Sequence, residues 1–363
     1  MASWGDVDAQ VRALIHQGHY GRAHQVLGPF AETLRAVGDV VHAVQATLRE
    51  SLLLGLLGDR DASLHRAAWA MAQVHDPRHS QRWTDRRAAW AVTAGFGLYA
   101  SACVEHGEVH LDRADDALTA GLGFVERIGR PGWRAGLLAH RASLRLAQGE
   151  LEEALALQQE AIALKRSQPR SPGMSLPSLL RDHGFTLNRA GRAREAAEVL
   201  RDLLAQPEVP ALDRFAAWLY LAHGAVDRDA PMAAVEAVER ALELGRDLGD
   251  EHHLAALGAG VEAWLLAGDL DRAQAASDQA LRLASHREEP GIRVHVHQDA
   301  FDVAMARGRR YAAEEHLDAE PAATESYTRS LHDALPICGT ENLKNRRRIA
   351  AAFEHDEDFL ELG

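Results

Sequence analysis

The chain has 363 residues, 47% of them hydrophobic, and a formal charge of −13 from 53 acidic against 40 basic side chains. That acidic balance excludes a protein that coats nucleic acid, which needs a dominant basic face, and two cysteines, Cys103 and Cys338, are too few for a disulfide framework and suit a reducing cytoplasm. The longest apolar stretch, Leu52 to Leu57, is broken by Gly55, and the first eight residues are acidic with no secretion segment, so neither a membrane span nor a leader is expected.

In chain order the periodicity predicts helix pairs at 7–17 and 20–36, 39–57 and 60–75, 80–106 and 110–129, 132–148 and 151–168. They continue at 173–190 and 193–206, 210–224 and 230–248, 250–267 and 270–286, 289–307 and 309–319. Each pair carries one mark at its elbow, a turn-forming residue followed five places later by a small one. Gly149…Ala154, Gly191…Ala196 and Gly268…Ala273 show it best, and Gly18…Ala23, Gly58…Ser63, Asp229…Ala234 and Gly308…Ala313 repeat it, with a blurred copy at Gly107. Elbows at 18, 58, 107, 149, 191, 229, 268 and 308 are spaced by 40, 49, 42, 42, 38, 39 and 40 residues. A period in this range is that of a stacked helical array built from one repeated unit. Arginine outnumbers lysine 38 to 2, a skew of GC-rich bacterial coding rather than of function.

The turns between repeats agree with this phase. Gly38-Asp39 and Gly249-Asp250 place a left-handed glycine at a helix end and a capping aspartate after it. Pro131, Pro172, Pro210 and Pro290 stand near the start of a first helix and Pro231 just inside a second one, where a missing N–H matters little. The second helices share a further signature in Ala154…Ala161-Ile162, Ala234…Ala241-Leu242 and Ala273…Ala280-Leu281. Seven residues make nearly two turns, so both alanines face one way and let the partner helix approach closely.

On these residues the array resembles tetratricopeptide repeats, whose pattern has a small residue at the elbow and alanines on the second helix. The resemblance covers about residues 4–320 and is most specific in repeats four to seven. It implies an all-α, right-handed superhelical solenoid of about eight helix-turn-helix repeats. These units run near 40 residues rather than 34, and the longer variety resembles arrays attached to bacterial transcriptional regulators and signal-transducing NTPases. Heat-type or armadillo-type repeats are the structural runner-up, on period alone.

The repeats occupy 1–320, followed by an irregular linker over 321–340 and a short helix over 341–363. Asn342-Leu343-Lys344-Asn345 holds three of the five asparagines and lysines of the whole chain, and Ser330–Ile337 resembles one reading frame of a sequencing adaptor. Two readings stay open there, an assembly artefact or a linker with a capping helix, and neither gives Cys338, His332 or Arg346–Arg348 a function.

Catalytic motifs are missing: no phosphate loop, no Gly-x-Gly-x-x-Gly after a strand and no Gly-x-Ser-x-Gly elbow. No cofactor and no metal are expected. Cys103-x-x-His106-x-x-x-His110 straddles an elbow and lacks a fourth ligand, so a packed cysteine with two surface histidines is the better reading. His295 and His297 lie about 200° apart on a helix and cannot share an ion. His252-His253 reads as surface. Trp83, Arg87 and Trp90 keep helical spacing and read as a packed stripe rather than a base-stacking platform.

What remains is the concave groove. In the resembled family the first helix of each pair lines it, and phase from the elbows selects Arg181, Asn188, His223, Glu262, His295, Gln298 and Asp302. Their mixture of charge and amide suits an extended ligand of mixed polarity. The expected function is a non-catalytic scaffold for a protein or peptide partner, with no nucleic acid, membrane or cofactor and an oligomeric state the sequence leaves open. A sensory module of a bacterial transcriptional regulator or signalling NTPase is the second reading, and an enzyme with a groove-assembled site the third.

Overall fold

A computed structural model describes residues 3–16, 19–84, 86–106, 110–171, 173–285 and 290–309. Within them the chain is helical, with no strand. Fifteen α-helices follow in order: α1 Trp4–His16, α2 Tyr20–Val37, α3 Val40–Leu56, α4 Arg60–His75, α5 Arg86–His106, α6 Leu111–Arg127, α7 Arg134–Ala147 and α8 Leu151–Ser167. The rest are α9 Leu176–Arg189, α10 Ala193–Leu204, α11 Ala211–Asp227, α12 Pro231–Leu248, α13 Asp250–Ala267, α14 Leu270–Ala284 and α15 Pro290–Ala306. Odd-numbered helices are the first of each pair, called A here, and even-numbered ones the second, called B. The expected helix at 309–319, the linker 321–340, the helix 341–363, Gly18, Gly107 and Pro172 lie outside the described residues.

The elbows have one backbone solution. Gly58, Gly149, Gly191, Asp229, Gly268 and Gly308 all take positive φ, between 55° and 83°. Each is followed by an N–H that reaches back across six residues, as from Asp59 to Leu54 O at 2.9 Å, Glu150 to Arg145 O at 2.8 Å and Asp269 to Trp264 O at 2.9 Å. This closes the open carbonyls of an A helix in one tight turn, and it is why the period is so regular. Asp59 and Asp269 then cap their B helices, accepting from Ala62 N at 3.0 Å and Arg272 N at 3.1 Å.

Five residues after the elbows at 58, 149, 191, 229 and 268 stand side chains with almost no exposed surface: Ser63, Ala154, Ala196, Ala234 and Ala273. Seven further on, Ala70, Ala161, Ala241 and Ala280 are fully buried, and in the third repeat Ala114 is matched by buried Gly121. A Cβ at Gly121 would sit 2.8 Å from Phe96 Cβ, so α6 meets α5 as closely as two helices can.

Three expectations are corrected. The helix expected over 80–106 is divided: Pro77–Thr84 forms 3₁₀ turns and α5 begins at Arg86, because Pro77 and the polar run after it cannot sustain an amphipathic α-helix. Gly249 takes φ 113° and ψ 172°, not the left-handed helical conformation of Gly38 at φ 75° and ψ 21°. Asp250 consequently falls inside the first turn of α13, where its charge meets the helix dipole, whereas Asp39 does cap α3 by accepting from His42 N at 3.4 Å.

The chain forms two compact units, 1–186 and 187–363, whose boundary falls within α9. In the first, A helices pack on A helices, α3 on α5 and α5 on α7, over cores built around Val11, Leu27 and Leu53 and around Trp83, Phe96 and Leu118. In the second, α11 packs on α13 and α13 on α15, with their B helices behind them. No described helix is long and apolar enough to cross a membrane.

Candidate functional site on the A-helix faces

In the first unit, α1, α3 and α5 line a groove of about 500 Å³. Helical spacing puts its walls in register. Trp4, Asp8 and Arg12 stand four apart on α1, while Val7 and Val11, the same distance apart on the adjoining face, are buried. On α3 the lining residues His42, Gln45, Arg49 and Leu52 step by three and four, and on α5 Trp90, Ala94 and Leu98 step by four.

The groove has an apolar rim and an ionic middle. Trp4 stacks on Phe30 with ring centroids 6.3 Å apart and tilts against His42 at the same distance. Trp90 meets Trp133 edge-on at 5.4 Å. Leu52 keeps 38% of its surface in solvent. Between these, the Asp8 carboxylate lies 3.0 Å from Arg12 Nη2 and 3.0 Å from Arg49 Nε. Burial pushes the Arg49 guanidinium down from its usual range, Asp8 opposes that shift and the like charge of Arg12 adds to it. One carboxylate thus serves two guanidiniums, leaving the groove a net positive charge inside an acidic chain. His42 Nδ1 lies 2.7 Å from Asp39 Oδ2, which fixes that nitrogen as the protonated one when the ring is neutral.

The seven residues chosen by phase stand on A helices, but they do not form one cluster. Arg181, on the part of α9 in the first unit, holds its neighbour Asp182 with Nε–Oδ1 of 2.8 Å and Nη2–Oδ1 of 2.7 Å. Asn188 donates from Nδ2 to Tyr220 O at 2.8 Å, splicing α9 to α11 where Gly224 leaves room for its amide. His223 is exposed and Glu262 half-buried, and both act on Asp227: burial raises that carboxyl, Glu262 raises it further, His223 and Arg228 lower it. His295 is exposed beside Gly258, where a Cβ would stand 3.3 Å from its Nε2. Gln298 and Asp302 are half-buried on α15.

Phase from the elbows would also have selected the groove of repeats one to three. The positions were taken only from the later repeats, so Trp4, Asp8, Arg12, His42, Arg49 and Leu52 on α1 and α3 were missed. The histidine pair is a further correction: His253 is buried, with Nε2 2.8 Å from the Gln279 amide, and His252 lies edge-on to Phe215 at 5.3 Å. Burial lowers both imidazoles. Cys103 is a buried free thiol, raised by burial and bonded to Tyr99. Trp83 is buried and Trp90 packs against the same core. The side chains of His106 and Arg87 lie outside the described residues.

Solved structures with this fold are tetratricopeptide-repeat proteins. A signal transduction ATPase with numerous domains from Pyrococcus horikoshii, bearing a tetratricopeptide repeat sensor, matches 91% of this chain at 15% identity and a TM-score of 0.63. The chain spans 48% of that protein. A Rap protein complexed with competence and sporulation factor matches 97% of this chain and 94% of its own at 12% identity and a TM-score of 0.58. No protein-family model matches the sequence, and no curated protein does. The fold is a tetratricopeptide-type helical-repeat array.

Proposed function

We propose that this chain is a non-catalytic scaffold whose A-helix faces bind an extended segment of a protein or peptide. The observation that carries this reading is the groove of α1, α3 and α5, about 500 Å³ in volume, with Trp4, Leu52 and Trp90 on its walls and Arg12 beside the shared Asp8. An aliphatic or aromatic side chain of the ligand enters between the indoles, and a ligand carboxylate takes the positive charge that Asp8 leaves over. Taken each within its own unit, Arg181 in the first and Asn188, His223, Glu262, His295, Gln298 and Asp302 in the second stand as further proposed polar contacts on A helices. The Rap structure holds competence and sporulation factor on an array of the same fold, which supports a scaffold that binds a partner. A free thiol buried at Cys103 suits a reducing compartment, here the bacterial cytoplasm.

Selection of a random peptide display library on the intact protein tests the proposal. Enriched peptides should combine a bulky apolar residue with an acidic one, and Arg12→Glu with Leu52→Glu should abolish their retention. No enrichment, or equal retention by the double variant, overturns it.

A second reading, the sensory module of a signalling NTPase or transcriptional regulator, is favoured by the match to a repeat sensor inside a larger ATPase. It requires a nucleotide-binding or DNA-binding domain in the same intact reading frame, and sequencing that frame decides it.

A further inference from the structure

We propose that the pocket between the 129–133 turn and the 168–171 loop is a second binding site, specific for small oxyanions. It is an open pocket of about 440 Å³ and shares no lining residue with the groove of α1, α3 and α5. Arg130 and Arg170 line it from opposite sides, with Gln168 and Ser171 adding an amide and a hydroxyl, and no acidic residue lines it. In a chain with 53 acidic side chains that composition is the exception. Arg134, just after the turn, is engaged by Glu160 at 3.2 Å, and Arg141 and Arg145 by Asp115. The guanidiniums of Arg130 and Arg170 have no hydrogen-bond or ion-pair partner among the described residues.

Arg130 and Arg170 are exposed, and two further features anchor the segments that carry them. The Ser171 hydroxyl is shielded from solvent and has no partner among the described residues, a donor held in reserve. Lys165 is buried and donates from Nζ to the Ser171 carbonyl at 2.5 Å, which ties α8 to the loop. The opposing wall is equally fixed, because Trp133 is buried and a side chain at Gly132 would collide with Gln168. Two exposed guanidinium forks on anchored segments, with an amide and a hydroxyl between them, suit phosphate and carboxylate oxygens. The ligand class is a small molecule carrying at least two such negative charges.

Isothermal titration of the intact protein with inorganic pyrophosphate, and separately with citrate, at matched ionic strength tests the site. Saturable one-to-one binding with a Kd of about 1 mM or tighter is expected for at least one of them. Tighter pyrophosphate binding assigns phosphate esters as the class, and tighter citrate binding assigns polycarboxylates. Arg130→Ala with Arg170→Ala should weaken binding at least tenfold without moving the thermal midpoint, and Arg170→Glu alone should do the same. Absence of saturable binding by both anions, or an unchanged Kd in the variants, overturns the proposal.

Discussion

His140 Nδ1 lies 2.8 Å from Ser101 Oγ, joining two neighbouring A helices, α7 and α5, side to side. The approach depends on Gly97, since a Cβ there would collide with the imidazole. Burial drives the His140 ring down to about 4, well below the value of a free histidine. The folded state therefore holds His140 neutral, while the unfolded chain takes up its proton near pH 6.5.

The direction of the pH dependence follows. Stability from this group is fully present above about pH 6.5 and is lost as pH falls toward 4, by roughly 3 kcal/mol at most. His252 and His253, also lowered by burial, add to the same loss. Thermal melts at pH 7.5, 5.5 and 4.5 should show a falling midpoint, with a shallower fall in His140→Gln. An identical slope in that variant would place the proton elsewhere.

Ala241, fully buried on α12, marks the seam between repeats. Ala241→Arg strands a guanidinium there and should destabilise the chain by more than about 3 kcal/mol. Ala233→Arg, at an exposed position of the same helix, should stay within about 0.5 kcal/mol. Equal denaturation midpoints for the two variants would contradict the assigned packing face.

Asp229 occupies the elbow position with φ 55°, the sole non-glycine residue of positive φ among those described. Its neighbouring elbows all use glycine, which enters this region without strain. Asp229→Gly should raise stability by about 0.5–1 kcal/mol in equilibrium denaturation, and a fall would reveal a contact made by the carboxylate.

How much of this was readable follows from the distance over which each signal acts. The elbow needs one residue of positive φ and one small side chain five places on, so Gly149 and Ala154 declare it locally. The burial of His253 depends on Gln279, on another helix, and of His140 on the absence of a side chain at Gly97; nothing within a single helix reports either. The groove of α1, α3 and α5 was harder still. Its register is plain in Trp4, Asp8 and Arg12, but the 3₁₀ segment at Pro77–Thr84 interrupts the chain before α5, whose Trp90 completes the groove. Asn188 was chosen as a groove residue, and its amide engages the Tyr220 carbonyl of α11, a contact no single helix reports.

The central claim, that partners dock on the A-helix faces, is tested most directly by photocrosslinking. A benzophenone side chain is introduced at Leu52, exposed within the groove, and in a second variant at Met232, 80% exposed at the start of α12. Irradiation with a display-selected peptide should label the Leu52 variant and leave the Met232 variant unlabelled. Labelling at Met232 alone, or none at Leu52 under saturating peptide, would contradict the account.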